Sequence, residues 1–390
     1  MSQIAFNPLV SGLSVPPVPA AQGWARNYDG AQGPLIDLSQ AVPGYPPHPE
    51  ILRLLGEAAS SAAYAGYGPI EGEAALREAY ARDVSEAYSA TLPGANVLVT
   101  SGCNQAFVCA AMAVAGSGDA IALSNPRYFN HEGTLAMLGV AMRSVACDAK
   151  RAFLPDPAEI AAAFDAGANG VALVTPNNPT GAIYPPELLR EIYDICHRKG
   201  RWLILDETYR DFLRSGVAPH DLFARPGWQD TLVQLYSFSK SFCIPGHRLG
   251  AIVAGEAVIS RVAKIMDNLQ ICAPRAAQVA IARALPQLSE WRAANRLEIA
   301  RRAAALEAAM RELPAWRVEA IGAYFAYVRH PGHDASSAAV AEALAKRAGI
   351  ICLPGEYFGE GQGAFLRFAF ANAGCERIAE LPARLARLTL

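Results

Sequence analysis

An α/β fold built on a mostly parallel sheet, with helices on both faces and a second, smaller α+β region behind it, is what this sequence predicts. Three observations carry that reading. Short apolar or β-branched runs (Val97–Thr100, Ala120–Leu123, Val171–Val174, Trp202–Leu205) are each followed closely by polar or glycine-rich residues. Helical stretches rich in alanine fall between them, and a different alternation begins past residue 316. Strands that are apolar throughout are buried on both faces, as in a doubly wound sheet, and such sheets bind ligands beyond the carboxyl ends of their strands.

Residues 1–45 read as irregular. Val15-Pro16-Pro17-Val18-Pro19 is extended, and Ala41-Val42-Pro43-Gly44-Tyr45-Pro46-Pro47 excludes regular structure. From Glu50 onward the alternation is regular. Ile51–Ala63 and Ala74–Tyr88 read as helices, Val97–Thr100 as a strand ending in Ser101-Gly102, and Asn104–Ala115 as the helix after that turn. Ala120–Leu123 is the next strand and His131–Gly139 a helix. Val171–Val174, Trp202–Leu205, Thr231–Tyr236 and Gly250–Ala254 are further strands. Ala276–Glu312 reads as one long helical stretch. It leads to an α+β region over about 316–390, with strands at Ala323–Val328 and Phe365–Phe370 and a helix at Ser336–Ala348. The expected division is an N-terminal arm (1–45) serving the small domain and the active site, a large ligand-binding domain (46–285) and a small C-terminal domain (286–390).

Of the 390 residues, 52% are hydrophobic, enough for a large core. Thirty-four basic and 36 acidic residues give a net charge of -2, and no block of like charges occurs, which argues against nucleic acid or an anionic membrane as partner. The eight cysteines are scattered, with no C-x-x-C pair and no clustering with histidine; reduced thiols, a cytoplasmic location and no metal site are expected. Residues 1–21 lack a basic n-region and are broken by prolines, so no signal peptide is expected. The longest apolar run, Ala106–Ala115, is too short to span a bilayer.

The most telling segment is Ser237-Phe238-Ser239-Lys240-Ser241, followed by Arg248. A lysine among small hydroxyls, with an arginine eight residues on (248 − 240), suits a covalently held phosphate cofactor. Its amine forms a Schiff base only when neutral, so the site must lower its pKa by burial or by neighbouring cations. A solvated surface loop is the plain alternative. Asp206 closes the run Trp202–Leu205 and suits a protonated ring nitrogen; it equally suits a helix N-cap. Tyr209 and Asn178 each follow a strand and can donate to a ring oxygen, although Asn178-Pro179-Thr180-Gly181 also makes a good turn unaided. Ser101-Gly102-Cys103-Asn104 opens a helix whose free N–H groups favour a phosphate. Gly116-Ser117-Gly118-Asp119 precedes a strand and is dismissed as a dinucleotide fingerprint.

Tyr67-Gly68-Pro69, Leu76-Arg77, Ser101-Gly102, Asn178-Pro179-Thr180-Gly181, Asp206-Glu207-x-Tyr209, Ser237-x-Ser239-Lys240 and Leu366-Arg367-Phe368, in this order, resemble the class I/II aminotransferases over roughly residues 35–375. The resemblance implies pyridoxal 5'-phosphate as cofactor and fold type I of the enzymes that use it, with a seven-stranded, mostly parallel sheet in the large domain. It implies that Lys240 bears the Schiff base and moves the substrate's α-proton, that Asp206 pairs with the pyridine nitrogen, and that Asn178 and Tyr209 bind the ring oxygen. Tyr128 would stack on the ring, and Gly102, Cys103, Asn104, Ser237, Ser239 and Arg248 would surround the phosphate. Tyr67 would reach the phosphate of a neighbouring subunit in a homodimer. Arg367 would bind the substrate α-carboxylate beside Gly44 and Asn178. Cys103 departs from the family pattern, where a hydroxyl residue is usual, and the proline-rich run after Gly44 departs as well.

The implied reaction moves an amino group between an amino acid and a 2-oxo acid with ping-pong kinetics. The same scaffold also supports elimination, racemisation, decarboxylation or cyclisation, and a non-catalytic regulator would need a nucleic-acid-binding segment that residues 1–45 do not provide. Arg275 is offered for a side-chain carboxylate or as a plain structural arginine, and Trp24, Tyr28 and Gln40 as further pocket residues.

Overall fold

The computed structural model describes residues 4–213, 218–332 and 334–388. Its thirteen strands are β1 Ile36–Asp37, β2 Val97–Thr100, β3 Ala120–Asn125, β4 Ala141–Ala146, β5 Ala168–Val174, β6 Trp202–Asp206, β7 Leu232–Ser237, β8 Gly250–Ala254, β9 Arg317–Gly322, β10 Phe325–Arg329, β11 Ile350–Ile351, β12 Leu353–Pro354 and β13 Phe365–Phe368. Seven form the main sheet in the order β2-β8-β7-β6-β5-β3-β4. All neighbours there are parallel except β8, which runs antiparallel to both β2 and β7. The predicted sheet is therefore observed, with β8 reversed.

The sheet is buried on both faces because alternate residues of each strand feed separate apolar clusters. In β6, Leu203 and Leu205 join one cluster while Ile204 joins the other; in β7, Leu232 and Tyr236 face one way and Val233 and Leu235 the opposite way. A four-stranded antiparallel sheet, β12-β13-β10-β9, has its own cluster, which includes Phe325, Val328, Leu366 and Phe368. Ile36 and Leu38 join that cluster, and β1 pairs with β11.

Several expectations need correction. The arm is not irregular throughout: Pro8–Ser11 and Pro17–Trp24 are helical. Pro17 sits at the first helical position and Pro19 is still in the first turn, where the missing N–H has no intrahelical acceptor to lose. The stretch 276–312 is two helices, Arg275–Ala284 and Ser289–Arg311, and the break holds Pro286. The strand expected at Ala323 starts at Phe325, since Ala323 has φ +45°, and the one expected to reach Phe370 ends at Phe368. The helix expected over Ser336–Ala348 is α-helical only over Ser337–Ala343 and closes as a π-turn over Leu344–Ala348.

Candidate active site

The sheet's topology concentrates polar side chains at one edge. Asp206 is the last residue of β6, Ser237 the last of β7, and the turns carrying Gly102, Tyr128 and Asn178 leave β2, β3 and β5 at the same end. Because β8 is reversed, its first residue, Gly250, pairs with both Thr100 and Ser237, which returns Arg248 to that edge. A cavity of about 280 Å³ opens there. Its walls include Cys103, Asn104, Tyr128, Asn178, Asp206, Tyr209, Ser237, Ser239, Lys240, Arg248 and Arg367. These are the residues the sequence singled out, less Gly102, Gly44 and Tyr67.

Lys240 lies in a single helical turn, Phe238–Ser241, whose N-cap Ser237 accepts from Ser239 N at 3.3 Å. Its ammonium donates to the carbonyl of Ala41 in the arm. Burial, reinforced by the Arg248 and Arg367 guanidiniums, lowers its pKa to about 8. Across the cavity Asp206 is buried. Burial opposes its charge, but His131 Nε2 at 3.4 Å and the Thr208 N–H at 3.0 Å overcome that and keep its carboxyl below the usual range. His131 stacks on Phe107 with ring centroids 3.8 Å apart, which fixes the imidazole against the carboxylate.

Arg367 projects from β13 of the smaller sheet into the same cavity. It donates to Asn178 Oδ1 at 3.0 Å and to the Ser39 carbonyl, and its guanidinium lies 5.2 Å from the Phe358 ring centroid. Burial lowers its pKa to about 10, leaving it charged at neutral pH. Its Nε has no hydrogen-bond partner, and neither does the buried Ser239 Oγ. Tyr209 packs against Tyr324 and Phe325 at 5.3 and 5.1 Å, and burial pushes its phenol well up. Burial lifts Tyr128 to about 12 and holds the Cys103 thiol protonated, with the Asp206 charge adding to the second effect.

Gly102 is buried and lies beside the cavity at the N-terminus of helix Cys103–Val114 with φ +87°, where a Cβ would collide with the Arg248 guanidinium. Arg248 in turn donates to Ser101 O and Pro245 O at 3.3 and 2.9 Å. Gly44 stands outside the cavity wall: its N–H donates to Ala371 O at 2.9 Å, and a Cβ would run into Asn372 O. Tyr67 is 79% exposed and away from this cavity. Arg275 is engaged within the chain, with Glu73 at 2.6 Å and the carbonyls of Ala63 and Gly66 both at 3.1 Å. Of the three further pocket residues, Gln40 lines the cavity, whereas Trp24 packs in the apolar clusters and Tyr28 lies against Gly349.

Sequence reasoning missed His131, 75 positions before Asp206 (206 − 131), and the wall formed by Val18, Val42 and Phe129. It also missed the buried group behind the site, in which Glu207 accepts from Tyr88 Oη at 2.6 Å and Gln234 Nε2 at 2.9 Å and faces His220 at 3.3 Å. A carboxylate beside Asp206 with a buried tyrosine elsewhere is no signal in one dimension.

The family model described as aminotransferase class I and II matches residues 33–385. The chain is 29% identical over 360 residues to an aromatic aminotransferase, ISS1, of Arabidopsis thaliana, covering 90% of this chain and 88% of that relative. It is 29% identical over 365 residues to valine–pyruvate aminotransferase of Mycobacterium tuberculosis, covering 92% of each. A Thermus thermophilus aspartate aminotransferase double mutant superposes with a TM-score of 0.90 over 99% of this chain and 100% of that one at 21% identity, a likeness of fold.

Proposed function

Because the chain belongs to the class I and II aminotransferases, we propose that this cavity is the active site at which it passes an amino group from an amino acid to a 2-oxo acid, with pyridoxal 5'-phosphate as resident cofactor. The observation that carries the reading is the meeting of Lys240, Asp206 and Arg367 around one cavity, from β13 and from two neighbouring strands of the main sheet. The residues fit the cofactor. The unpartnered Ser239 Oγ, the cation of Arg248 and the N-terminus of helix Cys103–Val114, free of any Cβ at Gly102, suit a phosphate ester. Asp206 is held ionised and suits a protonated pyridine nitrogen; Asn178, Tyr209 and Tyr128 suit the ring.

When bound, pyridoxal phosphate supplies a carbonyl that takes up the amino group and a protonated ring that accepts the electron pair freed at the substrate's α-carbon. The chain's own residues do the rest. Lys240, with a pKa of about 8, is partly neutral near physiological pH, so its Nζ would hold the cofactor and would serve to take and return the α-proton. Asp206, backed by His131 and Thr208, is favoured in its charged form. Arg367 binds the α-carboxylate, with the unpartnered Nε as one of its donors, and so fixes the α-carbon relative to Nζ.

The chain divides in this reading into an arm (1–45), a large cofactor-holding domain (46–285) and a small domain (286–390). Support comes from the clusters: the helix Arg275–Ala284 packs with the main sheet, whereas Ile299 and Leu306 of the next helix pack with the smaller one. The working form is a homodimer in which the exposed Tyr67 serves the neighbouring site, in a cytoplasmic setting that the scattered free thiols suit. The names of the relatives span aromatic, valine and aspartate donors, so the family leaves the side chain of the substrate open.

The test is a half-reaction: holo-protein mixed with single amino acids and no oxo acid, followed by absorption spectroscopy and mass analysis. One equivalent of pyridoxamine phosphate with one equivalent of oxo acid is expected. Continuous product formation with the cofactor still an aldehyde would replace transamination by lyase, racemase or cyclase chemistry.

A further inference from the structure

Beside Arg367 the cavity changes character. The Arg367 guanidinium lies over Phe358, whose ring centroid is 5.2 Å away, and Phe358 packs against Phe129 with centroids 5.6 Å apart. Val18, from the helix Pro17–Trp24, packs on the same cluster as Phe129 and Phe358. Val18 and Phe129 also line the cavity, joined by Val42 from the arm. A ligand whose carboxylate sits on Arg367 therefore has an apolar surface within reach, one that is partly built by the first 45 residues.

The charges that this chain brings to the cavity are already assigned. Among its described lining residues the ionic ones are Asp206, Lys240, Arg248 and Arg367, and each has a part in holding cofactor, proton or α-carboxylate. Arg275, the arginine the sequence offered for a second carboxylate, has its guanidinium bound by Glu73 and by the carbonyls of Ala63 and Gly66, and it lies 5.3 Å from the Tyr64 ring centroid. Moving it toward a substrate would strip a partly buried ion pair of its hydrogen bonds, a cost that an exposed arginine would not face.

We infer that Val18, Val42 and Phe129 form the wall that receives the substrate's side chain, and that the amino acids selected carry uncharged, apolar side chains. This rests on the transamination reading above. A carboxylate placed against that wall would lose water without gaining a partner, whereas a branched aliphatic or aromatic group gains burial. The arm thus acts as a specificity element.

The experiment measures single-turnover half-reactions of the holo-protein with L-alanine, L-leucine, L-phenylalanine and L-aspartate, then repeats them with Val18→Asn. Leucine and phenylalanine are expected to exceed aspartate in kcat/KM by roughly 100-fold, and Val18→Asn is expected to cut the leucine value about 10-fold more than the alanine value. Alanine is the reference because its methyl group offers the wall little surface. Aspartate matching leucine in the unaltered protein, or equal losses for leucine and alanine in the variant, overturns the assignment. Val42→Asn, in a separate segment, gives the same comparison should the first variant fold poorly. A protein that converts none of the four but forms pyridoxamine phosphate with another amino acid overturns this wall's role alone; one that forms it with no amino acid overturns the transamination reading as well.

Discussion

In the proposed reading Lys240 is the residue on which the chemistry turns, and its environment makes two predictions. Lys240→Ala should retain some cofactor but lose turnover by roughly 10³-fold or more, measured as single-turnover conversion of the cofactor by an amino donor. The second concerns pH. Burial and two guanidiniums hold the amine near 8, against an ordinary value of 10.5. Raising the pH from 7 to 9 should therefore increase the neutral fraction, and with it the rate at which apo-protein takes up pyridoxal phosphate, by about 10-fold. Stopped-flow absorbance would read this, and a flat profile would contradict the assigned environment. The linkage has a definite sign. Between about 8 and 10.5 the unfolded chain binds this proton and the folded chain does not, so this group makes apo-protein stability rise with pH across that window. Lys240, Asp206 and Arg367 were legible because each stands in a short run of distinctive residues. His131 was not: nothing near it in sequence marks it, and its meaning comes from Asp206, brought to 3.4 Å by the packing of helix Phe129–Leu138 on the sheet.

Strands that read as apolar runs were found where expected, because both faces of these strands are buried, even in the edge strand β2, and every residue reports it. The edge strand β4, Ala141–Ala146, pairs only with β3 and exposes most of its residues, Val145 alone being fully buried; Arg143 and Ser144 erase the pattern in sequence. β9 lies at the edge of the smaller sheet with Arg317 exposed and the rest half-buried, so it was missed for the same reason. Prolines misled in the other direction, since Pro17 and Pro19 stand inside the one turn of a helix that tolerates them. At this scale the helix Cys103–Val114 offers a test. Gly102→Ala would force a Cβ into the Arg248 guanidinium at a φ of +87°, and should weaken cofactor binding roughly 10-fold or more while the sheet stays folded. Equilibrium dialysis against pyridoxal phosphate checks the first part and circular dichroism the second.

Two sheets, joined by Tyr327 and Phe365 of the smaller one packing into the core of the larger, meet at the cavity, and the proposed dimer adds a third contributor through Tyr67, which is 79% exposed in the single chain. Mixing tests that sharing. Tyr67→Ala should bind cofactor less tightly, and Lys240→Ala should be inactive; after unfolding and refolding together in equal amounts, mixed dimers should each regain one intact site, giving about a quarter of the unaltered activity. Recovery no greater than the sum of the separate variants would mean that Tyr67 serves its own subunit or none.

The reversal of β8 carries a consequence for the order in which the molecule comes apart. It places Ser237, Ser239, Lys240 and Arg248 in one short excursion between paired strands, whereas the hydrogen bond from Arg367 to Asn178 closes a separation of 189 residues. Loop closure costs little for the first and more for the second, and the second also depends on two sheets staying docked. In mild denaturant the protein should thus stop turning over amino acids while it still grips its phosphate, an enzyme losing its customer before its tool.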